Sequence, residues 1–291
     1  MTSFLKGRNI GLVRHLCCAL LGFFAWGFVG AVFAQAATPL RNIAFYYGPH
    51  PVAADLGHFQ FVVLEPDAGF LPAHLATKKT NVLAYVSVGE VTKVRSYYAA
   101  MPQSWLIGKN YEWSSEIIDQ SAPGWPKFFV THIIEPLWKR GYRGFFLDTL
   151  DSYQQVAKNE GERRRAQEGL VDVIMAIKHR FPRATLILNR GFELLPRVHD
   201  AVYAVAFESL FKGWDEASGK YVGVSASDRT WLLSQAAIVK NDYHLPVIAI
   251  DYCPPADLEC ASTTLRRIRE LGLVPYVGDG RLQTLDLTAA Q

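Results

Sequence analysis

The chain has 291 residues, 50% of them hydrophobic, with 30 Lys+Arg against 27 Asp+Glu. The surplus positive charges, Lys6, Arg8 and Arg14, all precede an apolar run near the N-terminus. The rest of the chain is charge-balanced and carries no basic signature for nucleic acid. About 255 residues then remain, enough for one large core or two small domains.

From the N-terminus, the three basic residues are followed by an uncharged stretch from Cys17 to Phe33, then by Ala34-Gln35-Ala36. This order predicts a secretory signal peptide over residues 1–36. The rival is a retained anchor, but the apolar run of about 17 residues is at the short limit for a bilayer span. A periplasmic or secreted protein without a stable membrane anchor is therefore expected. Residues 37–291 contain no Ser/Gly linker, charge block or low-complexity stretch, which favours one domain and a monomer. Of four cysteines only Cys253 and Cys260 lie outside the leader. In an exported protein they can close a short loop as a disulfide, the alternative being two free thiols.

Eight short apolar, β-branched or aromatic runs come next: residues 43–47, 61–64, 82–88, 144–147, 185–188, 202–207, 247–250 and 274–277. Continuous hydrophobicity without alternation is the pattern of strands buried on both faces of a parallel sheet. Between them, residues 125–140, 162–179, 227–240 and 263–271 repeat apolar positions at helical spacing, the last ending at Gly272. The first two crossovers are less clearly helical. Strand and helix alternating through eight repeats predict a (β/α)₈ barrel. The other candidate, a doubly wound open sheet, would need a Gly-x-Gly-x-x-Gly turn after its first strand to bind a dinucleotide, and none is there.

Barrel enzymes work at the C-terminal ends of their strands. Here those ends carry Tyr46 and Tyr47, Glu65 and Asp67, Ser87 and Glu90, Asp148 and Asp151, Asn189, Glu208, Asp251 and Tyr252, and Asp279. Acidic residues after strands often cap the next helix, which accounts for Asp67, Asp151 and Asp279. Asp148 and Glu208 directly follow apolar strands, and packing explains them poorly. No strand-end His-x-His, His-Glu-x-x-His, Gly-x-Ser-x-Gly or strand-end lysine is present, so metal-dependent, serine-nucleophile and Schiff-base chemistries lack their residues. No metal or cofactor is expected. Two carboxyls flanking a bond are what acetal hydrolysis uses, and aromatic faces suit pyranose rings. Of the loop tryptophans Trp105, Trp113, Trp125 and Trp214, the last, after strand six, is the preferred sugar contact; Tyr153 is a further candidate.

The segments Ile-Ala-Phe-Tyr-Tyr-Gly (43–48), Val-Leu-Ala-Tyr-Val-Ser-Val-Gly-Glu (82–90), Gly-Tyr-Arg-Gly-Phe-Phe-Leu-Asp-Thr-Leu-Asp (141–151), Asn189-Arg190-Gly191 and Phe207-Glu208-Ser209 stand in order at these strand ends. Together they resemble the endo-α-1,4-polygalactosaminidase-like barrels of glycoside hydrolase family 114 and the related Pel polysaccharide hydrolase domain. The resemblance implies cleavage of α-1,4-linked galactosamine or N-acetylgalactosamine in an exopolysaccharide of the biofilm type, with export machinery as a candidate partner. It also implies Asp148 as nucleophile and Glu208 as acid/base. A retaining enzyme would hold them roughly 5–5.5 Å apart. The remaining acidic residues, Glu65, Glu90, Asp151, Asp251 and Asp279, would then line a negative groove for a cationic sugar. Two competitors are a non-catalytic polysaccharide-binding barrel using the same groove and a sugar-phosphate enzyme gripping phosphate at Gly278-Asp279-Gly280. An aspartate within that grip disfavours the second.

Overall fold

The apolar runs form eight parallel strands: β1 (Ile43–Tyr46), β2 (Phe61–Leu64), β3 (Asn81–Ser87), β4 (Gly144–Asp148), β5 (Thr185–Asn189), β6 (Ala204–Glu208), β7 (Val247–Tyr252) and β8 (Val274–Gly278). Their spatial order equals their chain order, and every neighbouring pair from β1 to β8 is a parallel ladder. A computed structural model describes residues 39–75 and 79–290. The predicted leader, residues 1–36, lies outside the described residues.

The sheet curls into a (β/α)₈ barrel whose last junction is made differently. Among the described residues no ladder joins β8 to β1; instead the Tyr276 hydroxyl on β8 donates to the Phe45 carbonyl on β1 at 2.7 Å. Just beyond the strands, the Tyr47 amide donates to the Leu282 carbonyl at 2.6 Å. Inside the barrel, Phe45 meets Phe146 of β4 edge-on at 5.0 Å and Tyr276 at 5.4 Å. All three rings are buried, each such side chain being worth about 1.5–3 kcal/mol on removal from water.

Four later crossovers carry helices with the predicted periodicity, while the one from β5 to β6 is made of short turns around Leu195–Val198. The longest, Glu160–Arg180, starts on Asn159, whose side chain accepts from the Glu162 amide, and places Glu160 and Glu162 in its first turn and Lys178, His179 and Arg180 in its last. That charge order suits the helix dipole. Ser225 and Asp257 cap Ala226–Asn241 and Leu258–Glu270 in the same way, and Gly272 ends the second at φ +66°. Residues 125–139 are helical, but a π turn over Val130–Ile134 interrupts them. Pro136 follows that turn and has no N–H to continue an α ladder. The first two crossovers are a four-residue helix, Ala53–Leu56, and short 3₁₀ turns. Cys253 and Cys260 are joined by a disulfide, which closes the loop after β7.

Two insertions were not anticipated. A three-stranded antiparallel sheet (Glu90–Val91, Leu106–Asn110, Ser115–Ile118) follows β3, and a hairpin (Lys212–Asp215 with Lys220–Gly223) follows β6. Both leave from strand C-termini, the end where the site lies.

Candidate active site

Four consecutive strands end on a polar residue. Asp148, Asn189, Glu208 and Tyr252 are the last residues of β4, β5, β6 and β7. Because the strands are neighbours, these side chains form a continuous arc on the barrel rim. The Asn189 amide nitrogen donates to Asp148 Oδ1 at 2.8 Å and to Glu208 Oε1 at 3.0 Å. The Tyr252 hydroxyl donates to Glu208 Oε2. From β3, the Tyr85 hydroxyl donates to Asp148 Oδ2 at 2.8 Å. Each carboxylate is thus held by two donors, one of them shared.

The shared donor fixes distance as well as orientation. Two acceptors on the two hydrogens of one planar NH₂ subtend an angle of about 120° at nitrogen, which separates Asp148 Oδ1 from Glu208 Oε1 by about 5 Å. The amide cannot be turned over, since its oxygen would then face two carboxylate oxygens. The cost is an Asn189 Oδ1 that is buried without a partner.

Burial pushes both carboxyls up, and each has donors that oppose the shift. Asp148 is raised by burial, opposed by the bonds from Tyr85 and Asn189 and by the Thr149 backbone. Glu208 is raised to about 7, first by burial and then by the negative charge of Asp148. A carboxyl raised to about 7 can hold a proton near neutrality, as an acid role requires. Burial and the adjacent carboxylates also raise the Tyr85 and Tyr252 phenols well above their ordinary value, so both remain donors.

The pair opens into a cavity of about 410 Å³, whose walls include Tyr47, Glu65, Ser87, Glu90, Arg95 and Trp113. Of the residues expected to contact substrate, Tyr47, Glu65, Ser87, Glu90 and Tyr252 line it, and Asn189 reaches the carboxylates themselves. The others are placed elsewhere. The Tyr46 hydroxyl donates to the Pro49 carbonyl. Tyr153 is buried and accepts from Gln167. Trp214 donates to Glu216 and packs on Gly280, where an added Cβ would lie 2.2 Å from the indole. Asp151 lies 3.7 Å from Arg190.

The acidic residues do not form the open negative groove that was expected. Glu65 makes a two-bond pair with Arg95, at 2.6 and 2.9 Å. Asp251 has 0% exposure and accepts from the backbone amides of Leu210, Phe211 and Lys212, fixing the chain that leaves Glu208. Asp279 accepts from the Arg281 and Thr284 amides and closes its own turn. Glu90, although on the wall, is 4% exposed and accepts from Asn110, Ser115 and Ser152. Glu65 is thus paired with a cation, and Glu90, Asp251 and Asp279 are engaged by neutral donors that hold the surrounding loops. Sequence reasoning missed Tyr85, whose signal was period-two alternation with Ser87, and Arg95, for which no local signal exists.

The family model for glycoside hydrolase family GH114 matches residues 32–290. The chain belongs to glycoside hydrolase family 114. Among solved structures, this family 114 hydrolase is similar to the glycoside hydrolase domain of PelA from Pseudomonas aeruginosa. The two are 35% identical with a TM-score of 0.77, over 84% of this chain and 96% of that one. The fold is shared with Aspergillus fumigatus Ega3, solved in complex with galactosamine, at 12% identity and a TM-score of 0.61, over 86% and 95% of the two chains. An uncharacterized protein of Deinococcus radiodurans is 25% identical over 254 residues, 79% of this chain and 76% of its own. The molecule is thus a glycoside hydrolase.

Proposed function

We propose that this hydrolase is exported and cleaves α-1,4-linked galactosamine or N-acetylgalactosamine polysaccharide with retention of configuration. The observation that carries the reading is the amide of Asn189 spanning Asp148 and Glu208. A spacing of about 5 Å between their bridged oxygens is close to the roughly 5–5.5 Å of retaining enzymes and short of the roughly 6.5–9.5 Å of inverting ones.

In the first step an Asp148 carboxylate oxygen attacks the anomeric carbon as the glycosidic C–O bond breaks, and Glu208 gives its proton to the departing oxygen. A glycosyl ester on Asp148 results, with Glu208 now ionised. In the second step Glu208 takes a proton from water, the water oxygen attacks the anomeric carbon, and Asp148 leaves as carboxylate. Tyr85 and Asn189 hold Asp148 against rotation, and Tyr252 does the same for Glu208.

Export is supported by the leader-like residues 1–36 and by the Cys253–Cys260 disulfide, since such bonds persist in oxidising compartments. No helix among the described residues is long and apolar enough to cross a membrane. The deciding experiment digests purified α-1,4-galactosaminoglycan and follows the anomeric protons of the first product by NMR. Product appearing first as the α-anomer is expected. First product in the β configuration overturns retention, and no reducing ends above a Glu208→Gln blank overturns the activity, leaving a binding barrel.

A further inference from the structure

Six of the seven tryptophans lie in the described residues, and five of them have an aromatic neighbour: Trp105 with Trp125, Trp138 with Phe181, Trp214 with Tyr221 and Trp231 with Phe192. Trp113 has neither a ring partner nor a hydrogen-bond partner among the described residues. It is 55% exposed and at the same time lines the cavity of Asp148 and Glu208. A single exposed apolar side chain is ordinary by itself; what distinguishes Trp113 is that its half-exposed ring forms part of the wall of the cavity that holds Asp148 and Glu208.

Nor is Trp113 at the end of a loose loop. It sits at the tip between Leu106–Asn110 and Ser115–Ile118, and both residues flanking the tip are tied to one buried carboxylate. Asn110 donates to Glu90 Oε1 at 3.1 Å and Ser115 donates to Glu90 Oε2, while Ser152, from the loop after β4, donates to Oε1 at 2.6 Å. Asn110 Oδ1 also accepts from the Glu112 amide at 3.1 Å, bracing the turn from inside. Glu90 therefore clamps the base of the hairpin to the loop that leaves Asp148, so the backbone that carries the indole is anchored beside the cavity.

We infer that Trp113 is a stacking platform for a hexosamine ring of the polymer other than the one being cleaved, so that the enzyme grips its chain at a second place. The inference rests on the polysaccharide-hydrolase reading above and deepens it by assigning a distal subsite. An indole face is suited to both parts of such a unit. It accepts the axial C–H surface of a pyranose ring and attracts an ammonium group through its quadrupole. Binding energy gathered away from the reacting bond is used to raise turnover of long substrates over short ones.

The test compares Trp113→Ala, Trp113→Phe and wild type on α-1,4-galactosaminoglycan and on an aryl α-galactosaminide that is too short to reach the hairpin. For Trp113→Ala, kcat/KM on the polymer is expected to fall by about tenfold, with less than a twofold change on the aryl glycoside. Trp113→Phe should keep most of the polymer rate. Equal losses on both substrates, or none on the polymer, would overturn the platform. A binding arm keeps this separate from failure of the proposed activity. In a Glu208→Gln background, titration with soluble galactosaminoglycan and chitosan oligomers should show affinity reduced about tenfold by Trp113→Ala. If wild type cuts neither polymer but that loss is seen, the activity reading falls and the platform stands; if no oligomer binds, or binding is unchanged, the platform falls.

Discussion

Tyr85 reaches Asp148 from the neighbouring strand, its hydroxyl 2.8 Å from Oδ2. The ladder pairs Ser87 with Asp148, so Tyr85 stands two residues back on the same face and leans forward to the carboxylate. A phenol donating to an anion favours the ionised form. Tyr85→Phe removes that donor without emptying the ring's place. The acid limb of kcat/KM should move upward by about one pH unit, read from a full pH profile. An unmoved limb would mean that the bond orients Asp148 without tuning it.

The pH optimum follows from the two raised carboxyls. Glu208 must be protonated to act as acid, so activity should decline as pH rises through about 7. Asp148 must be ionised, and its pKa lies above the ordinary carboxylate value because it is buried, so the acid limb should also be shifted upward. A bell confined to mildly acidic and neutral pH is expected. Initial rates on polymer at constant ionic strength measure it. Full activity persisting at about pH 9 would remove Glu208 from the acid role.

Replacing Glu208 by Gln should cost roughly 10²–10⁴ in turnover and yet stabilise the fold at alkaline pH. The sign follows from linkage. A carboxyl whose pKa is raised in the folded state binds its proton more tightly there than when unfolded, so its contribution is fullest at low pH and is lost as pH rises from the unfolded value toward about 7. Gln lacks that dependence. Thermal unfolding at about pH 8 should therefore show a higher Tm for Glu208→Gln, with the gap closing near about pH 4. A gap that stays constant with pH would contradict the argument.

Asp251 offers a stability prediction separate from catalysis. Its carboxylate satisfies three backbone amides, those of Leu210, Phe211 and Lys212. Asp251→Ala leaves these donors without a partner and should cost about 2–4 kcal/mol, by analogy with other buried donors orphaned by truncation. Urea denaturation followed by circular dichroism measures the loss. A loss below about 1 kcal/mol would show that water replaces the carboxylate readily.

The disulfide should contribute less than the fold around it. Cys253 and Cys260 are seven residues apart, and chain-entropy arguments assign a loop of that size at most about 2.5 kcal/mol. Cys253→Ser with Cys260→Ser should lower Tm by a few degrees while activity persists. Collapse of activity without unfolding would instead make the bridge a support for Tyr252, which precedes it in the chain.

The barrel was legible because each of its strands is buried on both faces, and an uninterrupted run such as Gly144–Leu147 says so without any partner in view. The helices read from periodicity were local information too, although each begins earlier than its apolar stripe, at the caps Asn159, Ser225 and Asp257. The hairpin over residues 106–118 was not legible: Leu106–Asn110 alternates half-buried and exposed positions, and its interior Gly108 and Lys109 carry little strand signal. The acidic rim was misread for a different reason. Glu65 follows its strand as Asp148 does, but its guanidinium partner Arg95 comes thirty residues later, and nothing local distinguishes a neutralised carboxylate from a free one. An apolar strand running up to a carboxyl marks Asp148 and Glu208, but Glu65 and Asp251 meet the same test, so the separation between them came only with their partners in space.

The junction between β8 and β1 gives the barrel a mechanical grain. Seven junctions are laced by backbone ladders, which resist stretching along their whole length, whereas the eighth is pinned by the Tyr276 hydroxyl and by the Tyr47 amide. Tyr47 and Leu282, on either side of this seam, are both part of the cavity wall. Slack in the cylinder is thus concentrated on one generatrix, beside the cavity that holds Asp148 and Glu208. Amide hydrogen exchange should trace it as a line of early opening along Ile43–Tyr46, while the carboxylate arc across β4 to β7 keeps its spacing like the fixed jaw of a vice.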